Sequence, residues 1–209
     1  MIIIATNIAE PKLISLENEI VKTGIFKKPV SRGIYLNTTG VKNDEVSDKK
    51  VHGGTFKACY LFSQNYYKFW QNLYPNLNWD WGMFGENVTV LNLNEKAIHV
   101  GSIYKIGGAI IQITQPREPC YKFGVKFGNQ DILEQFVNNG LSGTYAKVLK
   151  PGFIKKGDRL QLIKQAKNSL NIHQFFKLIF SINKNKVLLN KIANNTAIPL
   201  DKRKELCSV

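Results

Sequence analysis

Apolar positions in the first 163 residues fall in short runs separated by polar and glycine-rich breaks. Lys12–Leu16 and Gly33–Leu36 follow only loosely the period of two that marks a half-buried strand. Ala58–Phe62 is nearly continuous, as in a strand buried on both faces. Val88–Leu91, Ser102–Ile106, Ala109–Thr114, Tyr145–Leu149 and Asp158–Ile163 extend the series. Gly107-Gly108 separates two of these runs as a hairpin turn, because glycine accepts positive φ at little cost. Two helical patterns interrupt the strands. One is Gln64–Leu73, with Ser63 as N-cap and Pro75 just beyond it; the other is Asp131–Asn138, stopped by Asn139-Gly140. Many short strands, glycine turns and few helices predict a mainly β fold, a β-barrel.

After residue 163 the spacing becomes helical. Ser169 can cap a helix running to about Ile182, Asn185–Ala193 forms a second, and Pro199 opens a third over Leu200–Leu206. The pattern divides the chain into a barrel domain, 1–163, and a small three-helix unit, 164–209. The apolar residues of this unit cover one side of a bundle without making an independent core. It is expected to pack on the barrel or on a second subunit, which leaves a homodimer open.

Composition narrows the class. The chain is 44% hydrophobic and 21% charged, ordinary for a globular protein. Met1–Ala5 and Gly107–Ile111 stop far short of the roughly 20 residues that span a bilayer. Met1–Ala5 has no basic start and is broken by Asn7 and Glu10, unlike a signal peptide. The expectation is a cytoplasmic protein without a membrane span. The cysteines number 3 and form no C-x-x-C pair, so neither a disulfide framework nor a structural zinc site is expected.

The net charge is +14, and Lys164–Val209 carries half of it. Such a balance attracts phosphates, nucleic acid or an acidic protein, although a lysine-rich proteome gives the same number. Phe175, Phe176 and Phe180 fall at core spacing and do not interleave with lysines as a base-stacking platform does. A nucleic-acid-binding tail is therefore the weakest of the functional readings.

Three segments could carry chemistry. In Gln115-Pro116-Arg117-Glu118-Pro119-Cys120, two prolines end the preceding strand and stiffen the loop that holds a thiol. Arg117 favours the thiolate, the form that binds metal or attacks, while Glu118 opposes it if it points the same way. A buried inert cysteine is the commoner fate of a free thiol. Val51-His52-Gly53-Gly54 can let a ligand approach the backbone or form an anion-binding nest, and a plain Gly-Gly turn explains it equally well. Phe84-Gly85-Glu86-Asn87 lies where a loop meets a strand, a common place for functional residues and for ordinary turns. The chain lacks G-x-x-x-x-G-K-[ST] and H-E-x-x-H, and its 3 histidines lie far apart.

Taken in order, His52-Gly53-Gly54, Gly85-Glu86-Asn87, Pro116-Arg117-x-Pro119-Cys120, Gly143-x-Tyr145 and Gly157-Asp158 resemble the MOSC domain. Thr23-x-Ile25-x-Lys27-x-Pro29-Val30 and the three-helix tail resemble its bacterial YiiM-like branch. The resemblance implies a β-barrel with a few helices that binds the molybdenum cofactor, with Cys120 as the catalytic residue and the protein ligand to the metal. A soft thiolate suits that role. It also implies an enzyme that reduces N-hydroxylated compounds, such as N-hydroxylated nucleobases, to amines. Electrons would come from a flavoprotein or iron–sulfur donor. Lys27, His52, Gly53, Glu86, Asn87 and Arg117 are the residues the resemblance assigns to cofactor binding. The alternative within the family is a sulfur or cofactor carrier using Cys120. Three positions depart from the family pattern: Phe56 stands where an acid is frequent, Ser102 follows Gly101 in place of Asp, and Asn43-Asp44 replaces Gly-Asp.

Overall fold

The computed structural model describes residues 1–16, 19–47 and 52–207. Among them are thirteen strands and six α-helices. Eight strands form one sheet, in the order β13 (Leu160–Lys164), β9 (Ile103–Ile106), β10 (Ala109–Pro116), β11 (Thr144–Lys150), β7 (Cys59–Ser63), β8 (Val88–Leu91), β1 (Ile2–Ile8) and β4 (Lys28–Pro29). Neighbours are antiparallel except β7 and β8, which run parallel. The sheet curls until its ends meet. Ile2 bridges Arg159, the Ile3 amide donates to the Asp158 carbonyl at 2.9 Å, and the Gly157 amide donates to the Ile3 carbonyl at 2.9 Å. The N-terminal apolar run, too short to cross a membrane, is thus the strand against which the sheet closes. Among the described residues no helix is long and apolar enough to span a bilayer.

Burial explains the patterns. All five residues of β7 are buried, as its continuous apolar run predicts, because strands flank it on both sides and helices cover it. Gly107 turns the β9–β10 hairpin with φ 51°, and a Cβ there would lie 2.3 Å from the Asp158 carboxylate. Ser63 differs from its expected role. It makes no cap bond, and a 3-10 turn, Gln64–Tyr66, precedes α1 (Tyr67–Leu73). Two further helices follow the sheet strands: α2 (Tyr121–Phe127) and α3 (Ile132–Asn139), each ended by a glycine at positive φ. Pattern reading missed α2 because it holds Gly124 and spans only seven residues.

Two apolar clusters fill the interior. One is aliphatic, inside the curled sheet, and includes Leu36, Leu61, Val90, Ile106 and Ile111. The other is aromatic, with Phe84 stacked on Phe62 at 4.1 Å and surrounded by Trp70, Phe123, Phe127 and Phe136. The tail joins both. Its first helix, α4 (Ile172–Phe180), is capped by Asn171 in a reciprocal capping box with Gln174, two residues past the Ser169 expected from sequence. Phe175 and Leu178 enter the aliphatic cluster and Phe176 the aromatic one. The next two helices, α5 (Lys186–Ala193) and α6 (Leu200–Cys207), add Ile192 and Leu206 to the aliphatic cluster. Ser102, one of the departures from the family pattern, is fully buried; its hydroxyl accepts the Ala166 amide at 3.0 Å and ties the tail to the β9 entrance.

Glu95 fastens the same junction. Its buried carboxylate accepts the Ser142 amide at 3.0 Å and the Gly143 amide at 2.8 Å, and its carbonyl accepts the His173 amide at 3.3 Å. Burial pushes its carboxyl up to about 8, against the lowering effect of the two amides. A carboxyl raised on folding contributes stability that is present below the ordinary carboxylate range and is lost as pH rises through about 8. Urea unfolding at pH 5 and pH 9 should show the wild type losing on the order of 3 kcal/mol from this group. Glu95→Gln should be less stable at pH 5 but flatter across that window. Equal slopes for the two proteins would exclude Glu95 as the source.

Candidate functional site

Five of the side chains singled out in the sequence, Lys27, His52, Asn87, Arg117 and Cys120, line one cleft of about 660 Å³, counting the solvent in its mouth. They come from the loop before β4, the turn before β7, the entrance to β8 and the segment between β10 and α2. Val51 lies outside the described residues. Gly54 has φ 85° and opens the 3-10 turn Thr55–Lys57. Neither Gly53 nor Glu86 reaches the cleft wall.

Asp44 organises one wall. Its carboxylate accepts Lys27 Nζ at 2.5 and 2.6 Å, Asn87 Nδ2 at 2.7 Å and the Ala9 amide at 2.8 Å. The Lys27 and Asp44 side chains are 6% and 1% exposed. Asn87 continues the network into the sheet. Its Oδ1 accepts the Tyr60 amide at 3.2 Å, and its own amide donates to the Tyr60 carbonyl at 2.8 Å. Lys27 therefore stands in the cleft wall as half of a buried ion pair.

The opposite wall holds the thiol. The strand β10 ends at Pro116, and Cys120 is the residue before the first turn of α2, in extended conformation, with its carbonyl accepting the Phe123 amide at 2.8 Å. Phe123 and Phe127 of α2 plug into the aromatic cluster and fix the helix below Cys120. Arg117 is only 4% exposed. Its guanidinium lies 4.6 Å from the Phe123 ring centre, 5.4 Å from Tyr60 and 5.8 Å from Phe136. Burial opposes its charge, but Tyr60, Tyr145 and Cys120 outweigh that and hold it above the ordinary arginine range. Its Nη1 is buried with no hydrogen-bond partner, a costly arrangement for a cation unless a ligand supplies an acceptor.

Glu86 serves a different purpose from the one its motif implies. It is fully buried. Its carboxylate accepts the Tyr67 hydroxyl, the Gly82 amide at 2.9 Å, the Phe84 amide at 3.1 Å and the Thr89 hydroxyl at 2.7 Å. It shapes the 82–86 turn, which places Gly85 and Asn87 at the cleft. Lys126 braces the same region from α2, donating to the Ile25 carbonyl at 2.9 Å and the Gly82 carbonyl at 2.7 Å, with burial lowering it to about 7.

Wall residues that sequence reading did not assign to the site include Asp44, Lys57, Tyr60, Lys122 and Tyr145, the last quoted only within the Gly143-x-Tyr145 motif. The tyrosines sit in apolar runs that read as core, and a hydroxyl inside such a run was the available signal. Tyr60 spends its hydroxyl on the Ser142 carbonyl at 2.7 Å. Burial pushes Tyr145 up to about 12, so it keeps its proton at neutral pH. Among the described residues, the two wall carboxylates are ion-paired, Asp44 with Lys27 and Glu45 with Lys22 at 3.2 Å, while Arg117, Lys57 and Lys122 add positive charge.

A curled, sheet-dominated fold with a cationic cleft around one cysteine defines the class of protein, and comparison with known proteins gives the family. Residues 48–161 match the MOSC domain, and the chain belongs to that family. It is 33% identical to Protein YiiM of Escherichia coli over 143 residues, 68% of this chain and 64% of that protein. It is 28% identical to a protein named Reductase from Gibberella moniliformis, over 86% of this chain and 32% of that much longer protein. Among solved structures, YiiM from Geobacillus stearothermophilus superposes with a TM-score of 0.82 at 28% identity, covering 99% of this chain and 97% of that one.

The buried pair yields a direct expectation. Asp44→Ala leaves Lys27 charged and unpaired and should cost about 3–5 kcal/mol in denaturant unfolding. Replacing both partners, Lys27→Met with Asp44→Leu, should recover more than half of that loss. A double variant no more stable than Asp44→Ala would show that the hydrogen bonds to Asn87 and Ala9, not the ion pair, dominate.

Proposed function

We propose that this chain binds the molybdenum cofactor through the Cys120 thiolate and acts as an oxidoreductase, reducing N-hydroxylated compounds such as N-hydroxylated nucleobases to amines. The observation that carries this reading is the meeting of Lys27, His52, Asn87, Arg117 and Cys120 in one cleft, from segments remote in sequence. Membership of the MOSC family and the similarity to a protein named Reductase support it.

The residues present fit the group. Among the described residues no cluster of three or more His, Cys, Asp or Glu side chains could hold a bare metal ion. That suits a metal at Cys120 that brings its other ligands with it, as dithiolene-bound molybdenum does. The unpartnered Nη1 of Arg117 and the Lys57 and Lys122 side chains suit the oxo and phosphate oxygens of an anionic pterin. The bound cofactor supplies two-electron reduction with removal of the hydroxyl oxygen. The chain's own work is to hold Cys120 on the start of α2, to present Arg117 from an apolar bed, and to keep a proton on the Tyr145 hydroxyl as a hydrogen-bond donor. Lys27 acts through Asp44, holding Asn87 and the wall in register. A flavoprotein or iron–sulfur donor with an acidic surface suits the positive charge of residues 164–209.

Cys59 is buried and its thiol is pushed up to about 12, and Cys207 is exposed near the C-terminus, so neither competes for the role. Protein made in a host that synthesises the cofactor should lose nearly all its molybdenum in Cys120→Ser and keep it in Cys59→Ser and Cys207→Ser. Arg117→Met should lower molybdenum content or turnover by about tenfold or more. Molybdenum retained by Cys120→Ser would overturn the ligand assignment. Full loading without turnover of any N-hydroxylated substrate would favour the carrier reading.

A further inference from the structure

The C-terminal helix reaches the thiol segment. Lys202 of α6 places its ammonium 2.8 Å from Glu118 Oε1 and 2.9 Å from Glu205 Oε1, with its side chain only 11% exposed. Glu118 lies two residues before Cys120, between Arg117 and Pro119. Burial lowers Lys57 of the cleft wall below the ordinary lysine range; among the charges around it, Glu118, Asp201 and Glu205 favour its ammonium and Lys202 disfavours it. Glu118 thus has two cations within its electrostatic reach, one in the tail and one in the cleft.

We propose that Lys202 is a positioning residue for the thiol site. Its ion pair holds the Glu118 carboxylate toward the tail, so that the field at Cys120 stays positive. Three features of the molecule support this. Pro116 and Pro119 bracket Glu118 and remove two backbone donors, so little besides side chains decides where its carboxylate points. Lys202 is itself held. Leu206, one turn on, is buried in the aliphatic cluster, and Glu205 accepts from the same ammonium. On the far side of Cys120, Lys126 pins α2 to the Ile25 and Gly82 carbonyls. The cysteine is therefore clamped from both directions, and one of the two clamps belongs to the tail. Without Lys202, Glu118 keeps Lys57 as a cationic neighbour, and a carboxylate turned that way places negative charge at the cleft.

The inference concerns the thiol and its field, whatever group the thiol holds, and it can be tested without the cofactor. The full-length chain carrying Cys207→Ser, made in a host that lacks the cofactor, leaves Cys120 as the accessible thiol, since Cys59 is buried. Its alkylation is timed with neutral iodoacetamide and with anionic iodoacetate, the modified residue being identified by peptide mass. The ratio of the two rates reports the local field and cancels changes in general accessibility and in thiolate fraction. Lys202→Ala should lower the iodoacetate-to-iodoacetamide ratio by about fivefold. Glu118→Gln should raise it or leave it unchanged. In the Glu118→Gln background, Lys202→Ala should have less than about half its effect on a logarithmic scale. Lys202→Arg should restore the wild-type ratio. A ratio that does not move in Lys202→Ala, or that falls equally with and without Glu118, would overturn the proposal. If Lys202→Ala does not fold, the solvent-accessible Glu118→Gln decides alone: a ratio lower than wild type would overturn it.

Discussion

A single buried carboxylate ties together segments of one cleft wall that are remote in sequence. Asp44 accepts from Lys27, from Asn87 and from the backbone after β1, three segments that the fold brings together only at this point. Removing a carboxylate and an ammonium from water is expensive, and mutual attraction repays it only when the remaining hydrogen-bonding capacity is also used. Here Asp44 uses it on Asn87 and Ala9. The same Asn87 holds the Tyr60 strand on the other side, so the charge pair, the parallel β7–β8 contact and one wall of the cleft stand or fall together.

The thiol wall depends on a different force. Arg117 sits on an aromatic bed made by Phe123, Phe136 and Tyr60, and the two prolines leave the segment that leads to Cys120 few alternatives. Aromatic faces accept a guanidinium from below while offering no hydrogen-bond acceptor to Nη1. Glu86, which its motif places among ligand-binding residues, works one layer deeper by bending the 82–86 turn that positions Gly85 and Asn87. A motif residue can thus matter to a site without touching its occupant.

The tail is integral to this arrangement. Its helices contribute Phe175, Phe176, Leu178, Ile192 and Leu206 to the two clusters that support the sheet and α2. Its last helix delivers Lys202 to Glu118. Positive charge on the tail therefore has two physical settings: lysines facing water, which act at long range and are screened by salt, and Lys202, partly buried, which acts over one contact.

Much was determined by the order of residues alone. Short apolar runs separated by glycine turns identified most strands of the sheet, although strict period-two alternation was rare, because strands such as β7 are buried on both faces. The proline-flanked Cys120 and the His52, Asn87 and Arg117 segments were legible because their residue types are unusual in their local context. The sequence did not reveal α2, since seven residues with a central glycine carry too weak a helical signal. Nor could it separate Glu86 from Asn87, adjacent in the chain yet pointing one into the core and one into the cleft. It could not show that Lys27 is already paired or that Lys202 reaches Glu118. Those facts depend on contacts across 17 and 84 positions, as in Lys27 to Asp44 and Glu118 to Lys202. Local propensity acts over a few residues, whereas charge pairing and burial act over ångströms, and only the folded chain converts one distance into the other.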